Sequence, residues 1–149
     1  MDQKSTISDD SSFVEPEYTD IRTCWQKVKK GLQAIIQETP TLTFIPEDVY
    51  SECVNNRAFL FTSEKGFLVV TTEVDTLTKD RTLLIWIAYT YKQGDGNWIE
   101  HVQWFNKLAT DNDCKFIEAR SSVPQMQEYA VANGWELDTI VYRRYVNEQ

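Results

Sequence analysis

The chain has 149 residues, 42% of them hydrophobic, with seven Phe, seven Tyr and five Trp; that is one domain's length with material for a real core, and it excludes a disordered polymer. Its net charge of −8, with no basic cluster beyond Lys29-Lys30 and Arg143-Arg144, argues against direct nucleic-acid binding, which draws its affinity largely from Lys and Arg displacing counterions. No basic segment followed by an apolar one opens the chain, and no stretch approaches the roughly 20 apolar residues of a membrane span, so a cytoplasmic protein without a membrane partner is expected.

The first twenty residues carry Asp2, Asp9, Asp10, Glu15, Glu17 and Asp20 against the single base Lys4. Residues 1–20 therefore read as an acidic N-terminal arm, either flexible or docked on a partner subunit, ahead of a single domain over 21–149. Cys24, Cys53 and Cys114 are odd in number and lack a second Cys or His at metal-ligand spacing, so no metal site is expected and they read as small buried hydrophobes in a reducing compartment.

From Ile21 the apolar positions Cys24, Trp25, Val28, Leu32, Ile35 and Ile36 form a helical stripe, with Asp20 placed to cap it and Pro40 beyond its end. A shorter helix is predicted over Glu47–Asn55, with Pro46 at its start and Val49, Cys53 and Val54 facing inward. Ala58–Thr62 and Phe67–Glu73 are dense in Phe, Leu, Val and Thr, and the intervening Ser63-Glu64-Lys65-Gly66 suits an antiparallel hairpin.

After a polar loop, Asp75–Arg81, the run Leu83-Leu84-Ile85-Trp86-Ile87-Ala88-Tyr89 is nearly continuous in apolar residues, as expected of a central strand buried on both faces. A glycine loop, Gln93-Gly94-Asp95-Gly96-Asn97-Trp98, leads into a helix predicted over Asn97–Ala109, with Ile99, Val102, Phe105 and Leu108 on one face. Lys115–Ala119 reads as a short strand parallel to the central one, because strand, helix, strand in this order makes a crossover. A helix over Pro124–Ala132 exits at Asn133-Gly134, and Trp135–Val146 is expected to be a final strand, straight or bent near Asp138.

This order of elements, from Ile21 to Val146, resembles the GNAT N-acetyltransferase superfamily. The resemblance implies an α/β (α+β) fold: a mixed central sheet with an antiparallel hairpin, a parallel crossover, and helices on both faces. In that family the central strand leads to a loop of pattern Arg/Gln-x-x-Gly-x-Gly/Ala whose amides, at a helix N-terminus, hold the pyrophosphate of acetyl-CoA. Gln93 and Gly96 fall on the first two motif positions, and Trp98 stands where the third has a small residue. The cofactor-binding residues so implied are Gln93, Gly94, Asp95, Gly96 and Asn97, with the edge of Tyr89 to Tyr91 pairing with the pantetheine arm. Asp95 places a carboxylate beside that cradle.

Enzymatic members often carry a Tyr four residues before a Gly-aromatic pair. Here that position is Ala130, with Tyr129 one residue off and turned by about 100° on a helix. Glu73 is the nearest candidate for a general base, and His101 sits on the helix after the loop. No catalytic residue is assigned. No Ser/His/Asp or Cys/His arrangement, phosphate-binding Gly-x-x-x-x-Gly-Lys-Ser/Thr or His-Glu-x-x-His motif points to another chemistry.

Short length, acidity and Trp/Tyr content also resemble GNAT-like proteins of tailed-bacteriophage virions or their assembly. That resemblance implies a structural or interaction subunit with protein partners, no required cofactor, and a cytoplasmic or virion location. The alternative is an acyl-CoA-dependent N-acetyltransferase acting on an amine.

Overall fold

The computed structural model describes residues 15–92, 98–121 and 126–146. The glycine-loop residues Gln93, Gly94, Asp95, Gly96 and Asn97, named above as cofactor-binding, lie outside the described residues. Five strands form one sheet in the order of the chain: β1 (Glu17–Tyr18), β2 (Phe59–Ser63), β3 (Gly66–Val74), β4 (Arg81–Thr90) and β5 (Phe116–Ala119). The first four are antiparallel to their neighbours, and β5 runs parallel to β4. The expected mixed sheet, hairpin and crossover are all present.

The helices are α1 (Trp25–Glu38), α2 (Pro46–Val54), α3 (Val102–Asp111) and α4 (Met126–Ala132). Residues of β3 alternate between two cores because successive strand side chains point to opposite faces. Phe67 and Val69 join Val28, Leu32 and Val49 of α1 and α2, whereas Leu68 and Val70 join Phe105 and Ala109 of α3. Helices therefore cover both faces, and β3 and β4 are buried between them, which is why their sequences lack a polar side.

The first helix departs from the expected continuous stripe. Ile21–Thr23 is a single 3-10 turn, and Cys24, at φ −139° and ψ 27°, breaks it from α1. Asp20 caps that turn as anticipated, its carboxylate accepting from the Arg22 amide at 3.0 Å. At α2, Pro46 is the first residue and the Asp48 carboxylate accepts from the Ile45 amide at 3.0 Å, satisfying a donor at the helix entrance.

The arm is part of the sheet at its end. Glu17 and Tyr18 pair with Thr62 and Phe61, the Thr19 amide donates to the Leu60 carbonyl at 2.9 Å, and the Tyr18 ring lies against Phe59 and Phe61. The last residues of the arm thus pair with the domain's sheet, a pairing invisible in a two-residue segment without periodicity.

The largest correction is at the C-terminus. Trp135–Val146, expected as a strand, carries no strand pairing, and its apolar side chains from Leu137 onward are exposed. Local propensity favours extension here, but a strand exists only where a ladder partner is in register. Upstream the exit of α4 is as expected: Gly134 takes φ +91°, its amide donates to Val131 and the Trp135 amide to Ala130, closing the helix end. Among the described residues no helix is long and apolar enough to cross a membrane.

Candidate functional site

The geometry of interest begins in the register of β3 on β4. Val70 pairs with Ile85 and Val69 with Ile87, so Trp86 is an extra residue on β4, a β-bulge. The bulge reverses which face each side chain meets. Leu83 and Ile85 enter the core under α3, whereas Ile87 and Tyr89 enter the core under α1 and α2. A run with no polar break from Leu83 to Tyr89 accommodates this reversal at no cost in exposed apolar surface.

The bulge also ends the pairing with β5. The parallel ladder covers Thr82–Ile85 against Phe116–Ala119 and stops there, while β4 continues to Thr90. From Trp86 to Thr90 the side of β4 facing away from β3 has no strand partner among the described residues. Among the described residues it is an unpaired strand edge, and the chain continues from it toward the glycine loop.

Aromatic side chains surround that edge. On the α1 side the Phe67 and Tyr89 rings lie 5.5 Å apart and Tyr89 and Tyr91 6.1 Å apart, Trp86 packs on Phe44 at 5.6 Å, and the Lys27 ammonium sits 4.3 Å from the Tyr91 ring centre. Burial, then the neighbouring Cys24 and Tyr89, pushes the Tyr91 phenol up from its ordinary value. α1 approaches so closely because residue 31 is glycine, where a Cβ would meet the Phe67 and Tyr89 rings at under 3 Å.

On the other face Trp98 opens a short 3-10 turn, Trp98–Glu100, ahead of α3. Its indole is buried in the second core with Leu68, Val70, Leu83, Ile85 and Phe105, and its N–H donates to the Tyr89 carbonyl at 3.4 Å. The residue at the third motif position therefore turns into the core and ties the start of the α3 segment to the end of β4.

The proton-transfer candidates are dispersed. Glu73 pairs with Thr82 at the entrance of β4, and its carboxylate accepts from Arg120 at 3.2 Å. At about 3.3 Å per strand residue it is roughly 13 Å from the bulge, so it does not serve the free edge. His101 stands at the N-terminus of α3 and not inside it, and burial pushes its imidazole down from the ordinary value against the opposing pull of Glu100. Tyr129 is half-buried on α4, its carbonyl accepting from the Asn133 side chain at 2.9 Å. Burial raises all three thiols, Cys53 to about 11, so none is primed as a nucleophile. Among the described residues no group of three or more His, Cys, Asp or Glu could hold a metal.

A cleft of about 610 Å³ lies elsewhere, at the N-terminus of α1, lined by Arg22, Cys24, Trp25, Lys27 and Tyr50. It meets the aromatic cluster through Lys27, over the Tyr91 ring, and through Cys24, whose thiol acts on the Tyr91 phenol. Trp86 and Gly31 are the site-shaping residues the sequence did not mark, because neither a bulge nor a close helix approach leaves a periodic signature.

No protein-family model matches the sequence, and no curated protein matches it either. Solved structures do match in shape. Ribosomal-protein-alanine N-acetyltransferase from Brucella melitensis superposes with a TM-score of 0.66 at 12% identity, covering 89% of this chain and 100% of that one. An aminoglycoside acetyltransferase from an uncultured soil sample gives 0.64 at 12% identity over 93% and 99% of the two chains. Glucosamine-6-phosphate N-acetyltransferase from Arabidopsis thaliana gives 0.59 at 13% identity over 89% and 98%. At such identities the likeness speaks to architecture alone, and on that ground the chain has the GNAT acetyltransferase fold.

Proposed function

We propose that this protein is a GNAT-fold interaction subunit whose work is assembly with other protein rather than acyl transfer. The observation that carries the reading is the C-terminal segment. Val141, Tyr142 and Val146 are 80%, 91% and 87% exposed, with Leu137, Ile140 and Tyr145 also open. A segment with six exposed large apolar side chains, interrupted by Asp138, Thr139, Arg143 and Arg144, is rare on a soluble monomer and marks an interaction surface. The burial of Trp98 in place of a small residue, and Ala130 in place of a thiolate-protonating Tyr, support it. The short, acidic, aromatic-rich character that resembles phage virion or assembly proteins fits the same role, with the acidic arm as a second contact.

A second reading, an acyl-CoA-dependent N-acyltransferase, is favoured by the free edge of β4. An extended amide-containing arm would pair with Trp86–Thr90, and the amides of Gln93, Gly94, Asp95, Gly96 and Asn97 would meet a diphosphate. An amine would attack the thioester carbonyl, the C–N bond forming as the C–S bond breaks. The thiolate would leave and the amine's proton would pass to water.

Calorimetric titration of the purified protein with acetyl-CoA separates the two. The interaction reading expects no heat even at millimolar cofactor with the fold intact. Micromolar binding that Gly96→Trp abolishes would overturn it in favour of the acyltransferase.

A further inference from the structure

We infer that the loop between β3 and β4 of one copy seats Leu77 in the cleft at the N-terminus of α1 of a second copy, a head-to-tail contact that repeats from copy to copy. It goes beyond the interaction reading above, because neither surface includes the C-terminal segment. The loop, residues 75–80, is a fixed projection. The Asp75 carboxylate accepts from the Leu77 and Thr78 amides at 2.8 and 2.9 Å, the Asp75 amide donates to the Asp80 carbonyl at 2.8 Å, and the Asp80 amide donates to the Thr78 hydroxyl at 3.2 Å. These bonds hold Leu77 outward, 90% exposed, with Val74 at the end of β3 also open. A single exposed leucine is ordinary, but one fixed by its own loop gives up little conformational freedom when a partner covers it.

The cleft has the complementary properties. Trp25 and Tyr50 meet edge to face at 4.9 Å and form its apolar wall, and its volume of about 610 Å³ exceeds a leucine side chain. Its lining carries Arg22 and Lys27 and no carboxylate, on a chain of net charge −8. Arg22 is already paired with Asp20 at 3.0 Å, so Lys27 is the cation set to face the loop. On the loop, Asp80 faces Lys115 at 3.6 Å and the Lys79 ammonium turns back onto the Thr76 carbonyl at 2.9 Å, which leaves Asp75 as the charge beside Leu77. A pair such as Asp75 with Lys27 fixes register more than it adds affinity.

Position decides the symmetry. The loop precedes β4, whereas Lys27 of the cleft lies over Tyr91, just past the other end of β4. The ten residues of β4, at about 3.3 Å each, put the two features roughly 30 Å apart, so no copy fills its own cleft. A contact between different patches leaves one loop and one cleft open on every pair, and the assembly grows as a filament or closes as a ring. Contact through one loop falls below the about 1,200 Å² of a stable complex, so assembly is expected only at high chain concentration.

Sedimentation velocity of the full chain, from micromolar to millimolar concentration, tests this. The wild type is expected to pass beyond a dimer as concentration rises. Leu77→Asp and Lys27→Glu, both at exposed positions, are each expected to stay monomeric with unchanged circular dichroism. Mixed in equal amounts they are expected to form a dimer and nothing larger, because only the loop of the Lys27→Glu chain and the cleft of the Leu77→Asp chain remain intact. A wild type that is monomeric throughout overturns the contact, as does one that stops at a dimer. An assembly indifferent to both variants, or a mixture that stays monomeric where the wild type assembles, overturns it equally.

Discussion

Replacing Gly31 with Ala places two known effects in opposition at the helix that positions the aromatic end of β4. Alanine favours a helix interior over glycine by about 1 kcal/mol. At this position, however, the new Cβ would sit 2.6 Å from Phe67 Cε2, 2.8 Å from its Cζ and 2.9 Å from Tyr89 Cδ2. Carbon atoms rest at about 3.5–4.0 Å, so each contact is most of an ångström too short. Phe67 is wholly buried and itself packed on Tyr89 and Tyr91, so the ring has nowhere to swing.

Overpacking of a filled core costs about 1–3 kcal/mol. Three simultaneous contacts with immobile rings belong near the top of that range. The net expectation is a loss of about 1–2 kcal/mol, which at about 2–4 °C per kcal/mol for a chain of this size lowers the melting temperature by about 2–8 °C. Urea unfolding with an unchanged slope gives the free energy directly. Introducing Gly31→Ala into a Phe67→Leu background should convert the loss into neutrality or a small gain, because the smaller side chain relieves the overlap. A single variant as stable as the wild type, or more so, would refute the close approach of α1 to β3 and β4.

Phe105→Ala should cost about 3–5 kcal/mol by leaving a cavity in the core under α3, read as a lower urea midpoint. Deleting residues 1–20 removes β1, the Tyr18 packing and the Asp20 cap, and should lower the melting temperature of the remaining domain; an unchanged value would mean that the arm's end is not part of the sheet. Burial holds the Cys53 thiol up at about 11 against an ordinary 9.0. The unfolded chain therefore loses this proton first, so the contribution is intact below about pH 9 and lost as pH rises toward 11. Wild type minus Cys53→Ala, followed by thermal melts from pH 8 to 11, should show that decline.

Much of the fold was legible because local physics and packing agree there. The stripe from Trp25 to Ile36, Pro46 opening a helix, and Gly134 ending one each rest on short-range rules that the tertiary structure did not override. The two-sided burial of β4 could be read from a run without a polar face. The candidate site was legible only as an outline. The sequence marked the chain end of the central strand and the glycine loop after it. It did not reveal that Trp86 is a bulge, since a bulge is a relation between two strands and an apolar run hides the change of face.

The sequence by itself determined which segments are helical, which strands lie in the core and in what order they follow, because these depend on periodicity and on turn chemistry within a few residues. Only the tertiary structure decided where β4 parts from β5, which way Trp98 turns, and that Glu73 stands at the wrong end of β4. It also decided that Trp135–Val146, a strand by propensity, has no ladder partner among the described residues. Each of these depends on contacts between residues far apart in sequence, where a single register or edge sets what a side chain meets.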